Sequence, residues 1–106
     1  MNTNITRALE NKFNTELQFS SVDLWIDNSG YRNSAHTDDD RIKLSLQIYL
    51  SNNNQGTSLY DKEGNVRYTF PFKFNYGYAL LNNVYSDHGV EKIENDGRTS
   101  LYVRYQ

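Results

Sequence analysis

Apolar residues change their spacing once along this chain, and the change divides it in two. Ile5, Ala8, Leu9 and Phe13 recur at intervals of three and four, which predicts an amphipathic helix over 5–13 with Asn4 as its N-cap. From residue 17 onward the period is two. Residues 17–26 predict a first strand, and Asp27, Asn28, Ser29 and Gly30 a turn. The clearest strand is 42–50, where Ile42, Leu44, Leu46, Ile48 and Leu50 take every even position. Residues 57–61 and 66–70 predict a hairpin around 62–65, with Gly64 in the left-handed position of a bulged turn. Another strand covers 75–81. Residues 88–93 and 98–105 predict a second hairpin around Asn95, Asp96 and Gly97. Seven or eight short strands of this kind predict an all-β sandwich or jelly roll behind a short N-terminal helix.

The chain has 106 residues, enough for one domain: a helical lead-in over 1–16 and a β-domain over 17–105. Fourteen Asn and nine Tyr against one Pro agree with a β-rich chain, since Asn tolerates the positive φ of turns. The absence of cysteine excludes disulfides, thiolate metal sites and a cysteine nucleophile. A net charge of −2 without basic runs argues against a protein dedicated to coating nucleic acid. No apolar stretch is long enough to span a membrane, and the first residues lack a secretory pattern, so the expected location is the cytoplasm. Hydrophobic residues make up only 37%, a thin supply for a closed core.

Only two histidines are present. The first lies in His36-Thr37-Asp38, and in extended chain residues i and i+2 share a face. His36 and Asp38 can therefore offer a nitrogen and an oxygen to one ion. His88 supplies a second imidazole. Two histidines and one carboxylate form a facial triad that leaves adjacent coordination positions open, a pattern suited to non-haem Fe(II). On its own, His-x-Asp is ordinarily a loop pair beside a turn, and Asp39 and Asp40 read as turn or solvent residues. His88 and Arg98 change the balance, Arg98 and Ser100 lying ten and twelve residues beyond His88. Arg98 and Ser100 share a strand face, and a guanidinium fork beside a metal site suits the far carboxylate of a bound dicarboxylate.

The order His36-x-Asp38, His88, Arg98-x-Ser100 resembles the 2-oxoglutarate- and Fe(II)-dependent oxygenases, with the prolyl-4-hydroxylase-like branch the nearest. Ile48, Tyr49, Leu50 and Ser51, followed by Gly56, Thr57, Leu59, Tyr60 and Asp61, are similar to the strand after the metal motif and the loop behind it. The resemblance covers 17–105. It implies a double-stranded β-helix of the jelly-roll type, Fe(II) held by His36, Asp38 and His88, and 2-oxoglutarate held by Arg98 with Tyr49 and Ser100. It implies hydroxylation of a substrate coupled to release of succinate and carbon dioxide, with ascorbate as an accessory reductant. Peptidyl proline is the analogy for the substrate, and other peptides or small molecules are open.

If Ser45, Gln47 and Tyr49 face such a ligand, then Ile42, Leu44, Leu46, Ile48 and Leu50 face outward. Likewise Arg98, Ser100 and Tyr102 face in, while Leu101, Val103 and Tyr105 face out. The outer apolar face needs cover beyond a helix of two or three turns, so a second copy of the chain is expected to complete it. The alternatives are a cupin-like metal enzyme that does not use 2-oxoglutarate, an inactive jelly-roll binding module, and a structural β-protein with a fortuitous motif.

Overall fold

The structure is a computed structural model, and it describes residues 3–83 and 85–106. Helix α1 (Thr3–Phe13) is followed by eight strands: β1 (Phe19–Asp27), β2 (Asn33–His36), β3 (Leu44–Tyr49), β4 (Ser58–Tyr60), β5 (Val66–Thr69), β6 (Gly77–Leu81), β7 (His88–Val90) and β8 (Arg98–Tyr105). Asn4 lies inside the first turn of α1 rather than capping it. The helix stops where Asn14 takes φ 51°, and the Thr15 amide then bonds back to the Glu10 carbonyl at 3.2 Å, a closure that satisfies a terminal carbonyl.

The strands form two antiparallel four-stranded sheets, ordered β1-β8-β3-β6 and β2-β7-β4-β5. Strand 1 pairs with 8, 2 with 7, 3 with 6, and 4 with 5. The chain is thus a long hairpin folded back on itself, with β3·β8 and β4·β7 pairings closing each sheet. The β4–β5 hairpin matches expectation, with Gly64 at φ +85° in its turn. The second expected hairpin does not form. β7 belongs to one sheet and β8 to the other, so the segment from Glu91 to Gly97 crosses between them. Its physical cause is the anchoring of Ile93. That residue is 1% exposed and exchanges backbone bonds with Gly30 and Tyr31. β2 was not foreseen as a strand, because Asn33, Ser34, Ala35 and His36 carry no apolar alternation.

Alternation along β3 places Ser45, Gln47 and Tyr49 on the inner face, all buried, and Leu44 on the outer face, fully buried beneath α1. Leu9, Leu17, Leu44, Val103 and Tyr105 form this outer core, with Ile5, Phe13 and Leu46 packed against it. Thr6 Oγ1 and the Tyr105 hydroxyl add a hydrogen bond at 3.1 Å. Between the sheets a second cluster is aromatic: Tyr49, Phe72 and Tyr78, joined by Phe70 and Leu80. The cover from α1 stops short of edge strand β1, where Val22, Leu24 and Ile26 are 49%, 60% and 60% exposed on the outer face. Among the described residues no helix is long and apolar enough to cross a membrane.

Because Leu44 has no exposed surface and sits at the centre of the outer core, Leu44→Ala leaves a cavity that cannot fill with water. It should destabilise the fold by about 2–5 kcal/mol, read by chemical denaturation.

Candidate metal centre

Two neighbouring strands set the centre. His36 ends β2 and His88 begins β7, and the two residues are direct partners in the antiparallel register. Between Asn33↔Val90 and His36↔His88, β2 advances three residues while β7 advances two, so β2 carries a bulge. The extra residue turns His36 onto the face of His88, and the ring centroids lie 4.5 Å apart. Gly89 permits the approach. A Cβ there would stand 2.5 Å from the Asn33 carbonyl oxygen and 3.0 Å from the Ser34 carbonyl carbon. The sequence alone gave no sign of this requirement, since Gly89 reads as an ordinary strand glycine.

Each imidazole is fixed through its far nitrogen. His36 Nδ1 lies 2.8 Å from the Ser34 carbonyl oxygen, and His88 Nδ1 lies 2.7 Å from that of Ser86. A carbonyl oxygen only accepts, so both Nδ1 atoms carry a proton, and in the neutral imidazoles both Nε2 atoms present lone pairs. These converge on Asp38. Its Oδ1 lies 3.8 Å from His36 Nε2 and 3.4 Å from His88 Nε2. Its Oδ2 is taken by the Ser45 hydroxyl, which donates at 2.8 Å from the inner face of β3. One ligand atom from each residue lies within 4.8 Å of the others, an arrangement that can hold a metal ion. His88 is buried, and its Nε2 makes no hydrogen bond of regular geometry despite the nearby carboxylate. A buried polar atom without a partner is costly unless something coordinates it, which agrees with a metal-binding role.

Charge is tuned around this point. Burial pushes the Asp38 carboxyl up, but the adjacent His88 imidazole, the Ser45 hydroxyl and the charge of both imidazoles outweigh it, and the net shift is downward. Burial pushes His88 down, but Asp38 and the Ser86 carbonyl outweigh it, and the net shift is upward. Asp39 sits apart, bonded to Arg41 at the surface, and serves the turn as expected.

The triad opens on a cavity of about 100 Å³, which is also lined by Arg98, Asp27, Gln47, Thr57 and Tyr102, with Trp25 at its rim. Arg98 is buried. Its Nε donates to the Gln55 carbonyl at 3.0 Å, Nη2 to Thr57 Oγ1 at 3.2 Å, and Nη1 to Asp27 Oδ2 at 2.6 Å. The Phe72 ring lies 4.6 Å from the guanidinium carbon. Tyr49 and Ser100 are not part of the cavity lining. Tyr49 stacks on Phe72 at 4.0 Å and so reaches Arg98 through that ring. Ser100 accepts from Gln47 Nε2 at 2.9 Å, and Gln47 Oε1 in turn accepts from Thr57. The structure therefore brings His36, Asp38, His88 and Arg98 to one cavity and places Tyr49 and Ser100 behind it. Asp27 was missed because the first strand was expected to end one residue earlier. Alternation from Asp23 and Trp25 would have put it on the face of Arg98.

No family model, curated protein or solved structure matches this chain, so the site is read on its own geometry.

Two outcomes follow from the geometry. Gly89→Ala forces β2 away from β7 and should weaken Mn(II) binding by about 10–100-fold, the usual cost of disturbing the support of a ligand, as read by calorimetry. The second concerns pH. In the metal-free protein His88, with its value raised, stabilises the fold below the ordinary imidazole value and loses that contribution as pH rises through its own. Asp38, with its value lowered, contributes above the ordinary carboxylate value and loses that contribution as pH falls through its own. The metal-free pair thus contributes most between about pH 4 and 6.5. Metal requires the neutral imidazoles. Added Mn(II) should raise the melting temperature clearly near pH 8 and progressively less toward pH 5.5, as read by thermal scans with and without metal.

Proposed function

We propose that the protein is a non-haem Fe(II)- and 2-oxoglutarate-dependent dioxygenase, similar to the prolyl-4-hydroxylase-like branch and built on a jelly roll. The observation that carries this reading is the convergence of His36, Asp38 and His88 on a cavity that also holds the buried guanidinium of Arg98. The jelly-roll reading is supported by the strand pairs 1·8, 2·7, 3·6 and 4·5, which are those of one long hairpin rolled into two facing sheets. Two imidazoles and a carboxylate are the donor set of non-haem iron oxygenases, and the absence of thiolates argues against structural zinc of the cysteine type.

Bound Fe(II) would supply open coordination positions for a 2-oxo acid and dioxygen and the oxidising power for hydroxylation. The chain's own residues do the rest. The Ser34 and Ser86 carbonyls fix the imidazole tautomers, and Ser45 turns Asp38 so that Oδ1 faces the two rings. Arg98 presents a guanidinium of fixed direction to the cavity, held by Asp27, Gln55, Thr57 and Phe72, for the distal carboxylate of 2-oxoglutarate. The Thr57–Gln47–Ser100 chain keeps the polar floor satisfied, so water is not required there. Trp25, 42% exposed at the rim, stands where a substrate approaches, whether a prolyl peptide or a smaller molecule.

A second reading is favoured by the hold of Asp27 on Arg98. On that reading the same triad serves a cupin-like enzyme whose substrate binds the metal without 2-oxoglutarate. The two separate in one assay. With Fe(II), ascorbate and 2-oxoglutarate, the first expects succinate formation; oxygen uptake indifferent to 2-oxoglutarate supports the second and overturns the first. His36→Ala and Asp38→Ala should each abolish Mn(II) retention, whereas Arg98→Ala should weaken 2-oxoglutarate binding with metal affinity largely kept. Equal metal loss in all three removes the separate roles.

We also propose that a second copy of the chain covers Val22, Leu24 and Ile26, the apolar outer end that α1 leaves open. Light scattering reads this directly: a dimer that Leu24→Asp converts to monomer is expected, and a monomeric wild type overturns it.

A further inference from the structure

Asp27 stands directly opposite Arg98 in the β1–β8 register. Its Oδ2 lies 2.6 Å from Arg98 Nη1, and the two side chains are 6% and 2% exposed. The remaining hydrogen-bond partners of the guanidinium, the Gln55 carbonyl and the Thr57 hydroxyl, are uncharged. Among the described residues, Asp27 is therefore the only carboxylate paired with Arg98. Both side chains line the cavity shared with the triad. A ligand carboxylate that arrives at Arg98 meets a carboxylate already in place.

We propose that Asp27 is a resident competitor for Arg98: the distal carboxylate of a dianionic 2-oxo acid replaces it on the guanidinium, and Asp27 thereby sets how strongly the cavity favours such an acid. This rests on the reading of Arg98 as the cosubstrate clamp. Charge supports an exchange over simple addition. With a divalent ion present, Asp38, Asp27 and Arg98 together leave the cavity with one net positive charge. Nearby Arg104 is neutralised by Asp23 at 3.0 Å. A monoanion balances that charge, but a dianion overshoots it and would bury two carboxylates against one guanidinium. Exchange removes the conflict by letting Asp27 leave. Its place in the fold makes this feasible. Asp27 is the last residue of edge strand β1, and the turn behind it carries Gly30 at φ +95°. From the end of an edge strand the Asp27 side chain can swing off Arg98 without opening the middle of the sheet, while Ile93 keeps the turn behind it in place through Gly30 and Tyr31.

The test uses the full chain loaded with Mn(II), and titrates 2-oxoglutarate and 2-oxobutyrate by calorimetry. 2-Oxobutyrate has the same metal-facing 2-oxo acid and no distal carboxylate. In Asp27→Asn, 2-oxoglutarate should bind roughly tenfold tighter, within the usual range for two groups coupled through a shared partner. 2-Oxobutyrate should change much less, and Mn(II) affinity should stay as in the wild type. An unchanged or weaker affinity for 2-oxoglutarate overturns the competitor, as does an equal gain for both acids. If neither protein binds 2-oxoglutarate while both hold Mn(II), the clamp reading itself falls. Should Asp27→Asn fail to fold, the wild type decides: the Asp27 side-chain carboxyl carbon resonance in the Zn(II)-loaded protein should move with 2-oxoglutarate and stay with 2-oxobutyrate. A resonance that is static at saturating 2-oxoglutarate overturns the proposal.

Discussion

Two imidazoles can aim their free nitrogens at one carboxylate only if the strands that carry them are neighbours, close, and in a register that puts both rings on one face. β2 and β7 meet all three conditions, through the bulge before His36 and through Gly89, which has no Cβ to hold the strands apart. The rest of the molecule is arranged around that pairing. β3 sends Ser45 inward to hold Asp38 and, one residue earlier, Leu44 outward beneath α1. A slip of one residue in β3 would bury Leu44 in the polar cavity and expose Ser45 to the outer core. The His36–Asp38–His88 cluster and the apolar packing thus fix each other's register.

Arg98 imposes the second constraint. A guanidinium this deep needs partners for its donors, and it finds a carboxylate, a carbonyl, a hydroxyl and a ring face. From Thr57 the bonding continues through Gln47 to Ser100, so the inner floor of the sandwich is a connected polar chain. Breaking it at one point would strand groups on both sides, which is why such networks hold a single arrangement.

Much of this was legible in the residues themselves. The i+2 relation of Arg98 to Ser100 and the alternation within 44–49 follow from the two-residue period of a strand, whereas Ile42 and Leu50 fall outside β3, and Asp38 reaches the face of His36 from the loop beyond β2. What escaped was tertiary. β2 has no hydrophobic alternation, because its residues form a bulge and present His36 to the cavity rather than packing in a core. The chain does bend at Asn95 and Asp96, with Gly97 at φ +82°, but local turn chemistry does not say which sheet the chain joins next. The long-range bonds of Ile93 with Gly30 and Tyr31 decide that. Tyr49 lies on the expected inner face, yet it reaches Arg98 through Phe72, a neighbour distant in sequence.

The modest hydrophobic content now has a physical explanation. In most sandwiches the space between the sheets holds the core. Here part of that space is given to Asp38, Gln47, Thr57, His88 and Arg98, and the aliphatic core moves to the far side of β3 and β8, under α1. The aromatic cluster of Tyr49, Phe72 and Tyr78 seals the inner space beside the polar cavity and lies against Arg98 through Phe72. A small domain can thus keep a polar interior in which hydrogen bonds satisfy most groups, the Tyr49 hydroxyl and His88 Nε2 excepted, while burial on its outer face supplies cohesion. The stretch of β1 beyond the reach of α1 is where that division leaves apolar side chains without cover from the chain itself, and it is the same strand that ends in Asp27. Outer packing and inner chemistry therefore meet on one edge strand, paired along its length with β8 alone.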